Sequence, residues 1–177
     1  VPQTRVSVGH LATTWDDPRR PSLEVMNEIL GGGGFTSRIV KRVRSDEGLA
    51  YSAGSVIGFG RTYPQSFRVG FQSENKSVAR AVDIVLAELD RIRKEDVGAG
   101  ELDIARSAIV ESFPQRFATA SAKAAVFVDD ELTGRPADYW QKYRGQIQAV
   151  NAASLREAAQ QFLHPDKLTI LAVGKVD

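Results

Sequence analysis

Residues 49–72 read LAYSAGSVIGFGRTYPQSFRVGFQ, and this stretch decides the fold class. In its second half, Phe67, Val69 and Phe71 alternate with polar or small residues, which is the period-two pattern of a half-buried strand. The first half, residues 49–59, alternates larger and smaller side chains and predicts a long strand with one crowded face. Because only a short connection separates the two halves, we predict an antiparallel hairpin.

Two further strands and several amphipathic helices surround this hairpin. Alternation over residues 4–12 and a final apolar run over residues 167–173 predict the strands. Apolar residues spaced by three and four predict helices near residues 23–30, 35–43, 78–92, 101–113, 118–132, 138–149 and 152–163. Since strands and helices do not alternate regularly, we predict an α+β fold with a largely antiparallel sheet of about four strands and helices packed on one face. No linker divides the chain, so residues 1–177 are expected to form a single domain.

The composition excludes several function classes. The chain has 23 Lys and Arg against 22 Asp and Glu, and its formal net charge of +1 offers no general attraction to nucleic acid or to an anionic membrane. The sequence contains no Cys, which excludes disulfides and a Cys nucleophile. His10 and His164 have no acidic residue at a metal-ligand spacing, so we expect no zinc centre and no Ser-His-Asp constellation in this chain. It is not expected to hydrolyse a substrate alone.

Four consecutive glycines, Gly31, Gly32, Gly33 and Gly34, form the most unusual local motif. They do not fit a dinucleotide fingerprint, because a predicted helix rather than a strand precedes them and the sixth position is not glycine. They do not fit a phosphate-binding P-loop either, since Phe35 and not Lys follows the last glycine. A helix C-terminus followed by a tight corner would account for one or two of them. A loop whose backbone approaches a ligand is the alternative.

Three segments together carry a more specific pattern. Residues 27–32 read NEILGG, residues 35–38 read FTSR, and residues 44–52 read RSDEGLAYS. With the long helix after Ser77 and the closing apolar strand, they resemble the C-terminal, non-catalytic half of the insulinase (pitrilysin, or processing-peptidase) family of zinc metallopeptidases. The resemblance covers nearly the whole chain.

The resemblance implies an enzyme made of two similar halves that enclose a peptide. One half carries the inverted zinc motif His-x-x-Glu-His, and this sequence lacks that motif entirely. The chain therefore resembles the opposite half, which binds no cofactor itself and whose partner half, in the same polypeptide or in a separate subunit, holds the zinc. The partners implied are this catalytic half and a peptide substrate, with no nucleic acid and no membrane span.

The family's opposite half contributes an Arg and a Tyr seven positions apart, matched here by Arg44 and Tyr51. A phenol can donate to the oxyanion formed when a peptide carbonyl is attacked, and a guanidinium can hold substrate carbonyls or carboxylates. The resemblance further implies that Gly31 to Gly34 face the substrate. Ordinary structural roles compete with these assignments, because Arg44 at a helix C-terminus and Tyr51 at a strand end would be natural in any protein.

The sequence leaves two functions open. The first is the substrate-binding, transition-state-supporting half of a zinc endopeptidase, which would not be active alone. The second is a catalytically inert assembly module resembling the core subunits of respiratory complexes. A nucleic-acid contact at the basic residues from Arg38 to Arg44 is a weaker third reading, against which the even charge balance argues. We expect a soluble protein, and the resemblance favours the bacterial periplasm or cell envelope without deciding the compartment.

Overall fold

A computed structural model of the chain describes residues 3–174. Four strands form the main sheet: β1 (Gln3–Leu11), β3 (Ala50–Ile57), β5 (Ser66–Glu74) and β6 (Thr169–Val173). Their order across the sheet is β3-β5-β1-β6, and each neighbouring pair is antiparallel. Two very short strands, β2 (Thr13–Thr14) and β4 (Phe59–Gly60), pair in parallel beside it. The predicted hairpin is confirmed as the β3–β5 pair.

The described residues contain seven α-helices. They are α1 (Arg20–Asn27), α2 (Arg38–Val40), α3 (Val78–Lys94), α4 (Ala99–Ser112), α5 (Ala120–Thr133), α6 (Tyr139–Ala149) and α7 (Ala152–Phe162). The π-helical turn Glu28–Gly32 follows α1, and a second one, Lys41–Asp46, follows α2. Asn151 caps α7 by accepting a hydrogen bond from the Ser154 backbone N–H at 2.9 Å. The predicted α+β fold is confirmed.

The hydrophobic core lies between the helices and one face of the sheet. Inward-facing strand residues Val6, Val8, Phe67, Val69 and Phe71 are all buried, while their sequence neighbours on the other parity are more accessible. They pack against the apolar stripes of the helices, among them the stripe of α3 that the four-three spacing predicts. Burying apolar area on this scale is the main term that stabilises the fold.

An arginine in the helical layer is surrounded by aromatic rings. The guanidinium carbon of Arg135 lies 5.3 Å from the ring centre of Trp15 and 5.4 Å from that of Trp140. Arg135 also forms ion pairs with Asp129, at 3.0 Å, and with Asp130. We call these five residues the Arg135 cluster. It fastens the end of α5 to the start of α6, since Trp140 Nε1 also donates to the Asp130 carboxylate at 2.6 Å.

A β-bulge interrupts the edge strand β3. Ala50 lies opposite Ser73 and Ala53 lies opposite Phe71, so β3 advances three residues where β5 advances two. The extra residue falls in the segment that contains Tyr51. Because side chains alternate along a strand, the bulge shifts the inward parity from residue 50 to residues 53 and 55.

Candidate functional site

The helical segment from Arg38 to Asp46 places Arg44 beside the edge of the sheet. Its inner face, formed by Ile39, Val40 and Val43, is buried in the core and fixes its orientation. The last part is wound as a π-helical turn, a form that often occurs at functional sites. The segment ends at Gly48, whose φ of 63° reverses the chain into β3. Arg44 lies at this end and is half-buried.

Tyr51 lies in the bulged segment of β3. Its parity in the sequence matches that of Leu49 and Ala53, which predicts a place on the crowded face of the strand. The bulge removes it from that face, and the side chain is 81% exposed. A large aromatic side chain held in solvent at the edge of a sheet is accessible to a polypeptide from outside.

Arg44 contacts two aromatic rings. Its guanidinium carbon is 4.4 Å from the ring centre of Phe35 and 5.2 Å from that of Tyr51, both within the range of cation–π contacts. An open cavity of about 200 Å³ adjoins the three side chains, and Gly34 and Val40 also line it. We call Phe35, Arg44 and Tyr51 the Arg44 stack. The predicted pair of Arg44 and Tyr51 is thus brought together in space.

No acidic side chain of the described residues neutralises the charge of Arg44. Within residues 3–174, its side chain has ring contacts but no ion pair and no side-chain hydrogen bond. Arg38 differs, since it binds both carboxylate oxygens of Glu101 at 2.7 and 2.6 Å. Of these two members of the predicted basic cluster, Arg38 therefore anchors the segment to α4, and Arg44 keeps its N–H groups available for a ligand.

The four glycines have different environments. A Cβ on Gly31 would lie 2.6 Å from the Ser55 backbone nitrogen, so this glycine permits close packing of the π-helical turn on β3. Gly34 has a φ of 59°, a conformation that favours glycine, and it lines the cavity of the Arg44 stack. Gly32 and Gly33 approach Asn27 and Glu28 instead. Of the four predicted substrate-facing glycines, Gly34 is the one that borders this cavity, and the prediction of a substrate contact stays a prediction.

Phe35 is the member of the site that the sequence analysis missed. The apolar spacing assigns it to the buried face of the helix with Ile39 and Val43. In the structure it precedes that helix in a single 3₁₀ turn, Gly34–Thr36, and is 67% exposed. The signal that could have found it is its place directly after four glycines, where helical periodicity has no meaning.

The described residues offer no fit for a metal ion. No group of three or more His, Asp or Glu side chains that could hold one occurs among them. The fold does bring the rings of His10 and His164 to 5.8 Å between centres, but without an acidic partner. Burial lowers the pKa of His10, with smaller contributions from His164 and Lys167. A zinc ion cannot be assigned to any residues of this part of the chain.

Two similar proteins extend over most of the chain. A Helicobacter pylori protein, described as the non-peptidase homolog YmxG, is 28% identical over 157 residues, which are 85% of this chain and 34% of that protein. The crystal structure of a peptidase M16 inactive domain from Pseudomonas fluorescens is 25% identical, with a TM-score of 0.86, over 97% of this chain and 41% of that one. The chain therefore spans about a third to two fifths of the length of these relatives.

A third comparison concerns the fold alone. The crystal structure of the periplasmic protease PqqL from Escherichia coli is 15% identical with a TM-score of 0.78, over 98% of this chain and 19% of that one.

None of the described helices combines the length and the apolar character that a membrane span needs.

The family follows from the sequence itself. The model of the family described as "Peptidase M16 inactive domain" matches residues 1–109, which is more than half of the chain. The fold of the Pseudomonas fluorescens domain agrees over nearly the whole length. The predicted resemblance to the non-catalytic half is thereby confirmed, and the chain belongs to the peptidase M16 inactive-domain family.

Proposed function

We propose that this chain is the substrate-binding and transition-state-supporting half of a zinc-dependent endopeptidase. One observation carries the proposal: the guanidinium of Arg44, which has no ion-pair partner among residues 3–174, and the exposed phenol of Tyr51 share one open cavity at the edge of the sheet. An exposed aromatic ring and an arginine that no described carboxylate pairs with contribute little to the stability of the fold. Both are suited to contact with an external polar chain.

Tyr51 is proposed to act on the reacting carbonyl. A phenol is neutral at pH 7 and can donate one hydrogen bond without a counter-charge. Aimed at the carbonyl oxygen, it would stabilise the negative charge that develops there when the carbonyl is attacked. Its position on a bulge of a paired strand would hold the donor in place before the substrate arrives.

Arg44 is proposed to position the substrate. Its planar guanidinium carries five N–H donors, enough to bind two acceptors of a peptide backbone or a carboxylate in a fixed orientation. Since no carboxylate of the described residues occupies these donors, they are available without first breaking an ion pair. Gly34 is proposed to let the substrate come close, because it borders the same cavity without a side chain.

The rest of the enzyme belongs to a partner half. We propose that the zinc-bearing half is supplied by the same polypeptide or by a separate subunit, and that this chain is inactive alone. The periplasmic relative from Escherichia coli supports a location in the bacterial periplasm or cell envelope. That residues 1–177 form one domain remains our expectation. Metal analysis of the purified chain should find no stoichiometric zinc, and one tightly held zinc per chain would contradict the assignment.

The experiment is a cleavage assay with the zinc-bearing half present. Tyr51→Phe removes only the hydroxyl, and we expect turnover of a quenched fluorescent peptide to fall about 100- to 1000-fold, the usual effect of losing one oxyanion donor. Tyr63→Phe is the matched control, because Tyr63 is 79% exposed and lies outside the Arg44 stack. Unchanged turnover in Tyr51→Phe would contradict the role in the transition state.

A catalytically inert assembly module is the second candidate. It is favoured by the relative from Helicobacter pylori, which is described as a non-peptidase homolog. The same cavity would then bind a segment of a partner protein without cleaving it. A stable stoichiometric complex that shows no cleavage of any peptide, although its metal site is loaded, would support this candidate over the first.

A further inference from the structure

Phe35 exposes a large apolar ring next to the one arginine on which the proposed function depends. A single exposed apolar side chain is common on protein surfaces and needs no explanation by itself. The ring of Phe35, however, lies 4.4 Å from the Arg44 guanidinium carbon, closer than the ring of Tyr51 at 5.2 Å. The ring centre of Phe35 is therefore the nearer of the two aromatic supports of Arg44.

The side chain of Arg44 is long and flexible, so it samples many conformations unless a contact holds it. An arginine side chain loses rotamer entropy when it is fixed in one conformation. Carboxylates hold Arg20, Arg38 and Arg135, but within the described chain none holds Arg44. A carboxylate would also consume the N–H donors that lie in the plane of the guanidinium. Aromatic rings contact the face of that plane and leave the donors at its edge available.

The turn that carries Phe35 is built to be rigid. Gly34 has a left-handed φ of 59°, which starts the 3₁₀ turn. The carbonyl of Gly34 accepts hydrogen bonds from the Ser37 backbone N–H at 3.1 Å and from the Ser37 hydroxyl at 2.6 Å. The Thr36 hydroxyl donates to the Gly33 carbonyl at 2.9 Å. Three hydrogen bonds thus fix a short segment whose large side chain lies mostly in solvent.

We propose that Phe35 is a positioning residue: its ring holds the guanidinium of Arg44 beside Tyr51, with the N–H donors left available for a peptide. The proposal rests on the proposed function for its consequence, but the contact itself can be tested separately. Phe35 is not proposed to touch the reacting atoms. It restricts Arg44 before the substrate binds, so its loss weakens binding and not the chemical step.

The first test reads the contact directly on the isolated 177-residue chain. In a ¹H–¹⁵N spectrum, the Nε–Hε signal of Arg44 is identified by its disappearance in Arg44→Lys. We expect Phe35→Leu to shift this signal toward the positions of unstacked arginines, because the ring current is lost, while Phe35→Tyr leaves it in place. Phe127→Leu is the matched control, since Phe127 is 61% exposed on α5 and lies outside the Arg44 stack. An unchanged signal in Phe35→Leu would overturn the proposal.

The second test reads the consequence in the assembled peptidase. We expect Phe35→Leu to raise KM about two- to five-fold with kcat unchanged, the size of one exposed cation–π contact, and Phe35→Tyr to restore the original KM. A fall in kcat with KM unchanged would overturn the positioning role. If Arg44→Lys and Tyr51→Phe leave cleavage unaffected, the proposed function fails, whereas the shift of the Nε–Hε signal still decides whether Phe35 holds Arg44.

Discussion

The Arg44 stack and the Arg135 cluster both combine an arginine with aromatic rings, but the two arginines differ in whether carboxylates pair with them. In both, an arginine lies against two or more aromatic rings at 4.4 to 5.4 Å. The side chain of Arg135, however, is 5% exposed and is neutralised by Asp129 and Asp130, whereas Arg44 has no acidic partner among residues 3–174 and contacts two exposed rings. The difference shows that the carboxylates, and not the rings, separate a structural arginine from one available to a ligand.

The strongest test of this difference replaces each arginine in turn and measures the free energy of unfolding. Arg135→Met removes an ion-pair partner from two partly exposed carboxylates, Asp129 and Asp130, so we expect the free energy of unfolding to fall by about 2 kcal/mol. Arg44→Met removes no ion pair of the described chain, and its effect should stay within about 0.5 kcal/mol. Urea denaturation of both variants makes the measurement. Equal losses would show that the two sites do not differ in the way described.

A smaller effect on the free energy of unfolding is expected from replacing Tyr143, for which Tyr51 is the comparison. Tyr143 is 1% exposed and donates its hydroxyl to the Glu24 carboxylate, and burial together with Glu24 raises the pKa of the phenol. Tyr143→Phe leaves this carboxylate with fewer donors, and we expect a loss of about 1 to 2 kcal/mol in the free energy of unfolding. Tyr51→Phe should leave stability unchanged. A stability loss in Tyr51→Phe that matched the loss in Tyr143→Phe would assign Tyr51 to the fold and not to a ligand.

The smallest expected effect on the free energy of unfolding concerns the ion pair of Asp17 and Arg19. This pair lies just before α1 and is close in sequence to Trp15 of the Arg135 cluster. The hydrogen bond from Arg19 lowers the pKa of Asp17 to about 2, and a second one from Thr13 acts in the same direction. A lowered pKa means that this contribution is complete above the unfolded pKa near 4 and is lost as the pH falls toward 2. We expect it to stay below about 1 kcal/mol, because Arg19 is partly exposed.

The measurement compares the native chain with Asp17→Asn across this range. The native chain should be the more stable at pH 6, and the two free energies of unfolding should converge between pH 4 and pH 2. A difference that stays constant with pH would show that the charge of Asp17 is not what stabilises the turn.

The sheet and the long helices could be predicted because their periodicity is local. Phe67, Val69 and Phe71 alternate without interruption, and β5 is regular for its whole length. The stripe of α3 repeats over almost five turns, so its existence depends on no distant contact. These elements agree with the patterns since each has one buried face and a regular backbone.

The site could be predicted in its residues but not in its geometry. The resemblance to the insulinase family implies Arg44 and Tyr51, and the structure shows them adjacent. Their surroundings depend on irregular backbone: the π-helical turn that contains Arg44, the bulge at Tyr51 and the left-handed Gly34. Each breaks the period on which a pattern relies, and for this reason the helical spacing predicts the wrong face for Phe35. Regular spacing cannot report where a chain adds one residue to a turn or a strand.

Because of the bulge in β3, the number of residues in this strand, as much as their type, determines which side chains the sheet edge exposes. Deleting Ser52 would let the strand pair without interruption, and Tyr51 would then lie opposite Gln72 on the outer face of the sheet, with every side chain after it still in register. A one-residue deletion here should thus separate the phenol from the guanidinium of Arg44 while leaving the fold able to form. Insertions and deletions at this point offer a route by which related chains gain or lose the pairing of these two side chains without replacing either.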